Sequence, residues 1–240
     1  MRIYQECRKA KRTGVVPAFL AGGILAAAFP CINMAVRSEM FIHRQGSPVT
    51  ILLTENWQVM SLLNVILVVL GACLLYHTEF ASNAMQKMKC LPVSESSIFY
   101  GKTGVICFLS VVMLVMEAAS VVFCSLYWFD TGSGIWPEVV KSFGYSFLMG
   151  LPCILLSLLV SSACRNMWVS LGIGVVCIFT ATILPSDNFA LSLFPYALPF
   201  SMFDGADVTG AMHHICAAAV ETAVMAAAEL LFIKIRRVFE

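Results

Sequence analysis

Six separate stretches of this chain stay apolar for roughly twenty residues each, long enough to cross the ~30 Å hydrocarbon core of a bilayer as helices. They lie at about 15–36, 57–76, 104–127, 139–162, 168–184 and 211–233. In lipid every backbone amide must be satisfied within the protein, so a spanning chain is helical or forms a closed barrel. A barrel needs alternating apolar and polar positions, and these runs are continuous. The expectation is an all-α integral membrane protein with six transmembrane helices in a single domain, residues 1–240. Composition agrees. The chain is 60% hydrophobic and 12% charged, against about 45–50% and about 25% in a soluble domain. A water-soluble fold is therefore excluded, and so is disorder, which needs low hydrophobicity and high net charge. A net charge of +1 leaves no electrostatic footprint for nucleic acid. The first apolar run is long enough to span and is followed by no clean small-residue cleavage site, so it reads as a span rather than a secretory signal.

Lysine and arginine set the direction. Of 15 such residues, 12 fall on the side shared by the two termini and the loops near 78–103 and 163–167, leaving Arg37, Arg44 and Lys141 opposite. The positive-inside rule then places both termini in the cytoplasm of a multi-pass cell-membrane protein.

Two polar segments on that side are amphipathic. At 100° per residue, Ile3, Tyr4, Cys7 and Ala10 share one face, with Arg2, Arg8, Lys9 and Arg12 on the other. That pattern fits an N-terminal interfacial helix attracted by anionic lipid, or a basic flank that only sets topology. In 79–91, the residues Phe80, Ala81, Ala84, Met85, Met88 and Leu91 fall within an arc of about 140°. Pro92 ends this helix, since the residue before a proline is pushed out of the α region. Ser94 can cap a second helix that runs through Lys102 into the third span, with Glu95 favourable against its dipole. The result is a helix–break–helix elbow projecting from the membrane. It is either a docking surface for a cytoplasmic partner or an amphipathic linker resting on lipid.

Glu79, Lys87, the turn Cys90-Leu91-Pro92-Val93-Ser94 and Lys102 resemble the first cytoplasmic loop of permease subunits of type 2 ABC exporters. In that family an acidic residue closes the second span and a leucine-proline-aliphatic-serine turn precedes the third. The opening Glu6-Cys7-Arg8-Lys9-Ala10-Lys11-Arg12-Thr13 is similar to the N-terminal helix of its small permeases. Within the family the chain looks most like the small permeases that protect lantibiotic producers from their own peptides. The resemblance implies that a separate cytoplasmic ABC ATPase dimer binds ATP and Mg and grips a coupling elbow containing Glu79, Lys87, Leu91, Pro92 and Ser94. The chain itself has no GxxxxGK[ST] phosphate loop, so no cofactor is expected on it. The resemblance further implies a second permease subunit, the same or a different chain, a peptide substrate and a Gram-positive bacterial host. The segment 185–210 has no lysine or arginine and carries Phe194, Pro195, Tyr196, Pro199, Phe200 and Phe203. By the same resemblance it forms extracellular interfacial or re-entrant pieces before the last span. An aromatic belt anchor is the other reading.

Ionisable groups inside spans are costly and mark candidate functional sites. Glu117 stands about 20 Å above the cytoplasmic start of the third apolar run and Glu221 about 18 Å from the cytoplasmic end of the sixth. At this similar depth they either line a substrate path that attracts a cationic peptide or are carboxyls satisfied by neighbouring groups. Glu229, near Lys234, reads as an interfacial carboxylate, and Asn33 as interhelical glue. His213 and His214 point about 100° apart on a helix, so with Asp204 and Asp207 they make no metal site. The ten cysteines form no CxxC pair and read as packing residues.

Three function classes follow. The first is the permease of an ATP-driven exporter, moving a lantibiotic-type peptide or another substrate such as a drug, lipid or polysaccharide. The second is an intramembrane enzyme. It lacks support because His43, His77, His213 and His214 all lie near or outside a membrane boundary and no HExxH is present, so no catalytic residue is assigned. The third is a non-transporting sensor or assembly protein.

Overall fold

The computed structural model describes residues 13–81, 95–129, 134–184, 189–203 and 208–239. Among them are α1 (Val15–Ile42), α2 (Pro48–Ala81), α3 (Glu95–Trp128), α4 (Ile135–Ala163), α5 (Met167–Ile183), the one-turn α6 (Phe189–Ser192), a 3₁₀ turn (Leu198–Phe200) and α7 (Val208–Phe239). The described residues contain no strand. The expected N-terminal interfacial helix lies outside the described residues.

Five helices are long and apolar enough to cross a membrane, and α5 is a shorter apolar helix of 17 residues, at the low end of what spans. The helices outrun the apolar stretches that nucleate them. α2 and α3 have 34 residues each, or about 51 Å, so both carry polar ends well beyond a ~30 Å core. α1 shows the same boundary from within: Arg37 departs from helical geometry (φ −132°, ψ 28°), one residue after the apolar run ends. The turn into α2 passes through Gly46 at φ 141°, a conformation that a β-carbon disfavours. α5 starts where the Asn166 side chain accepts from the Trp168 amide at 3.0 Å, a standard N-cap.

α2 is the central helix, touching α1, α3, α4, α5 and the 3₁₀ turn, while α7 packs mainly on α4. Two larger apolar layers fill the bundle, and a smaller cluster of Tyr145, Met149, Leu198, Ala211 and Ala218 joins α4 to the 3₁₀ turn and α7. One large layer, toward the α2–α3 connection, includes Phe19, Val68, Tyr76, Phe99, Ile106 and Leu158. The other, toward the α1–α2 turn, includes Met34, Trp57, Met60, Val121 and Phe143. The outer surface is apolar as well, with Ile24, Phe108, Val176, Phe179 and Ile183 all exposed. A soluble monomer does not display so large an apolar surface. Trp136 at the start of α4 and Trp168 at the start of α5 are exposed near opposite ends, where interfacial aromatics sit.

Candidate functional site

Among the described residues, the flanks of the α2–α3 connection form the most strongly organised charged feature. α2 ends at Ala81 and α3 begins at Glu95, so the two helices flank the loop whose Lys87, Leu91, Pro92 and Ser94 lie outside the described residues. On the flanks, Lys102 Nζ stands 2.9 Å from Glu79 Oε1. It also donates to the Leu75 carbonyl at 2.9 Å and lies 4.9 Å from the centre of the Tyr76 ring. Lys102 is 1% exposed and Glu79 5%, so neither charge is shared with water. Breaking such a pair leaves an uncompensated buried charge, which makes the contact hard to open. The effect is to tie the end of α2 to the first turns of α3. Both residues belonged to the sequence pattern, but nothing in that pattern said they would touch.

The second polar feature lies at mid-bundle. Glu117 is 1% exposed, and its Oε2 accepts from Asn64 Nδ2 of α2 at 3.2 Å. Its other oxygen has no hydrogen-bond partner, and neither do Asn64 Oδ1 and Ser110 Oγ. Asn64 and Ser110 line a cavity between α2, α3 and α4, together with Ser61, Ser146, Phe147 and Pro199. Glu117 follows Ser110, Met113 and Leu114 on one face of α3, at the spacing that places residues i, i+3, i+4 and i+7 together. The sequence reading missed Asn64, Ser110 and Ser146. A lone asparagine inside the second apolar run was the available signal.

Glu221 does not join Glu117. It sits partly buried on α7, with Oε2 unpartnered, and no described hydrogen bond or ion pair links the two carboxyls. Glu229 departs from expectation: it is 3% exposed, turned into the bundle rather than toward the interface. It lies one turn beyond Met225, which packs on the first apolar layer. Asn33 does act between helices, donating to Asn56 Oδ1 of α2 at 3.2 Å.

The segment before α7 enters the bundle. The Tyr196 hydroxyl is 3.1 Å from Ser157 Oγ, and Trp57 Nε1 donates to the Phe200 carbonyl at 3.1 Å. Ser157 lies in the half of α4 toward its C-terminus and Trp57 in the half of α2 toward its N-terminus. Irregular backbone at such depth persists only where protein surrounds it. Here the turn is satisfied internally, with Ala197, Leu198, Phe200 and Ser201 amides all donating to carbonyls within the segment. At the far end of α2, Thr50 Oγ1 donates to Glu138 Oε1 at 2.6 Å and Ser47 donates to the same oxygen, fastening the α1–α2 turn to α4.

Among the described residues no group of three or more His, Cys, Asp or Glu side chains could hold a metal. Asp204 and Asp207 lie outside the described residues. His213 and His214 instead contact the ring of Phe189, with centroids 6.5 and 5.3 Å away.

A family model described as an ABC-2 family transporter protein matches residues 2–181. That range covers α1 to the last turn of α5, with the elbow and Glu117 inside it and Glu221 beyond. No curated protein and no solved structure matches the chain.

Proposed function

Since this chain belongs to the ABC-2 transporter family, whose members are membrane components of ABC transporters rather than catalysts, we propose that it is the permease of an exporter that expels a lantibiotic-type antimicrobial peptide. Both termini face the cytoplasm in this reading. The elbow built around Glu79, Lys87, Leu91, Pro92 and Ser94 seats in a cytoplasmic ABC ATPase dimer, which binds ATP and Mg. Two permease subunits, identical or different, pair in the membrane of a Gram-positive host. Closure of the ATPase pair displaces the elbows, and the helical bundles rock between inward and outward access, with Glu117 and Glu221 attracting the cationic cargo.

What supports the coupling part of this reading is the buried Glu79–Lys102 pair. A loop that must deliver force needs rigid anchorage at both ends, and this one has a clamped base. The peptide part rests on the resemblance of the elbow and N-terminal motifs.

Co-purification tests it. The tagged permease, expressed with a candidate cytoplasmic ABC ATPase from the same host, is expected to retain that ATPase, and removal of residues 82–94 is expected to release it. Peptide-stimulated ATP hydrolysis in the reconstituted complex supports export. Stimulation by a drug or lipid instead keeps the architecture and replaces the cargo, and stable binding with no stimulation by any cargo favours a sensor.

A further inference from the structure

One pair of side chains carries two orphaned oxygens. Asn64 Nδ2 donates to Glu117 Oε2 at 3.2 Å, and neither Asn64 Oδ1 nor Glu117 Oε1, both buried, has a hydrogen-bond partner. An acceptor buried without a donor is costly, and a charged one more so. Asn64 borders the cavity between α2, α3 and α4, where water has access to its oxygen. Glu117 does not border that cavity, so such water leaves the carboxyl unserved.

No cation is at hand. Glu117 lies on α3, which packs on α1, α2, α4 and α7. Residues 15–36, 57–76 and 142–162 hold no Lys, Arg, His, Asp or Glu. Their titratable groups are the thiols and phenols of Cys31, Cys73, Tyr76, Tyr145 and Cys153, none of them cationic. On α3 itself Lys102 is committed to Glu79 and Leu75. The nearest ionisable group to mid-membrane on α7 is another carboxyl, Glu221.

A proton balances this count. A carboxyl that carries one is a donor as well as an acceptor. Carboxyl and carboxamide are planar forks of nearly equal span. With one arm of each already joined, a proton on Oε1 turns the remaining two acceptors into a second bond and removes the buried charge. We propose that Glu117 is a proton-binding site: in the resting chain its carboxyl is protonated and forms a reciprocal pair with Asn64, with Glu117 Oε1 donating to Asn64 Oδ1.

The helix register suits such a clasp. Asn64 precedes Glu79 by fifteen residues and Glu117 follows Lys102 by fifteen. The two contacts therefore lie on one antiparallel seam of α2 and α3, about 22 Å apart. The contact beside the α2–α3 connection is ionic, and the one at mid-bundle is neutral. The proposal describes the resting chain and does not rest on the export reading. In that reading a cationic cargo meets an ionised Glu117 only after α2 and α3 part and the proton passes to water.

The test uses the full-length chain in ether-linked lipid, which has no ester carbonyl to mask the carbonyl stretch of a protonated carboxyl. Infrared spectra at neutral pH are compared for wild type, Glu117→Gln and Asn64→Leu. A protonated-carboxyl band is expected in wild type and its loss in Glu117→Gln. In Asn64→Leu the band is expected to move to higher frequency, because the carbonyl no longer accepts from the amide. Glu117→Gln can exchange the same two bonds amide to amide, so it is expected to unfold near the wild-type midpoint, which separates a lost band from a lost fold. Asn64→Ala serves the same comparison if Asn64→Leu does not fold. Superimposable wild-type and Glu117→Gln spectra in this region would show an ionised Glu117 and overturn the proposal. A band unmoved by the Asn64 substitution would show a proton without the pair and overturn it as well.

Discussion

Lys102 of α3 holds Glu79 of α2 at 2.9 Å where both are almost fully buried, so an ionic contact joins the two helices that flank the α2–α3 connection. Removing one partner of such a pair typically costs about 3–5 kcal/mol, because the other charge is stranded. Lys102→Met is therefore expected to lower the thermal stability of the purified protein sharply. Glu79→Gln combined with Lys102→Met, which removes both charges of the pair, is expected to recover much of it. A double variant no more stable than the single one would show that the pair is not the source of the effect.

Close approach of α2 and α5 depends on Gly174. A β-carbon there would lie 2.4 Å from Val69 Cγ1, and Val69 is β-branched and stiff. Gly174→Ala is expected to cost about 1–3 kcal/mol by overpacking, and adding Val69→Ala is expected to restore stability. The contrast is Gly22, whose β-carbon would meet Leu67 Cδ1 at 2.1 Å. That atom is the end of a flexible side chain, so Gly22→Ala should be much milder. Unfolding midpoints of the three variants check both statements.

The proposed cargo role of Glu117 and Glu221 has a direct readout. If the cargo is a cationic peptide as proposed, Glu117→Gln and Glu221→Gln are expected to reduce the resistance the transporter confers while leaving ATPase association intact. Full resistance in both would remove the carboxyls from the cargo path.

Cys31 of α1 and Cys124 of α3 bring their sulfurs to 3.7 Å, against about 2.05 Å in a disulfide. Copper–phenanthroline treatment of membranes is expected to join them within one chain, detected as loss of two free thiols by mass spectrometry. Cys31→Ser or Cys124→Ser should prevent the loss. No cross-link would argue against the direct packing of α1 on α3.

Much of the architecture was legible because lipid leaves so few options. An apolar run of the right length is a helix, and Arg37 breaks helical geometry just where the first run ends. What escaped were relationships between runs. Glu79 and Lys102 were visible as residues and invisible as a pair, since 23 positions and a loop separate them. Glu117 stood out because a charge in a span is conspicuous, whereas Asn64, Ser110 and Ser146 did not, since hydroxyls and amides are common in membrane helices. The burial of Glu229 was not legible, because closeness to Lys234 in sequence does not say which side of α7 it occupies. Hydrophobicity says which residues avoid water but not which side of a helix meets a neighbour.

The contacts that receive Tyr196 and Phe200 come from Ser157 and Trp57, which lie on helices that leave the ribosome before either residue. The cradle can thus form first, and the aromatic segment arrives at a partner already made, as expected when chains assemble from the N-terminus during synthesis. α7, which follows, then docks on α4. A polypeptide halted just before residue 194 should possess the cradle without its occupant, and one halted after residue 203 should possess both, which makes the order of biogenesis a property written into the connectivity.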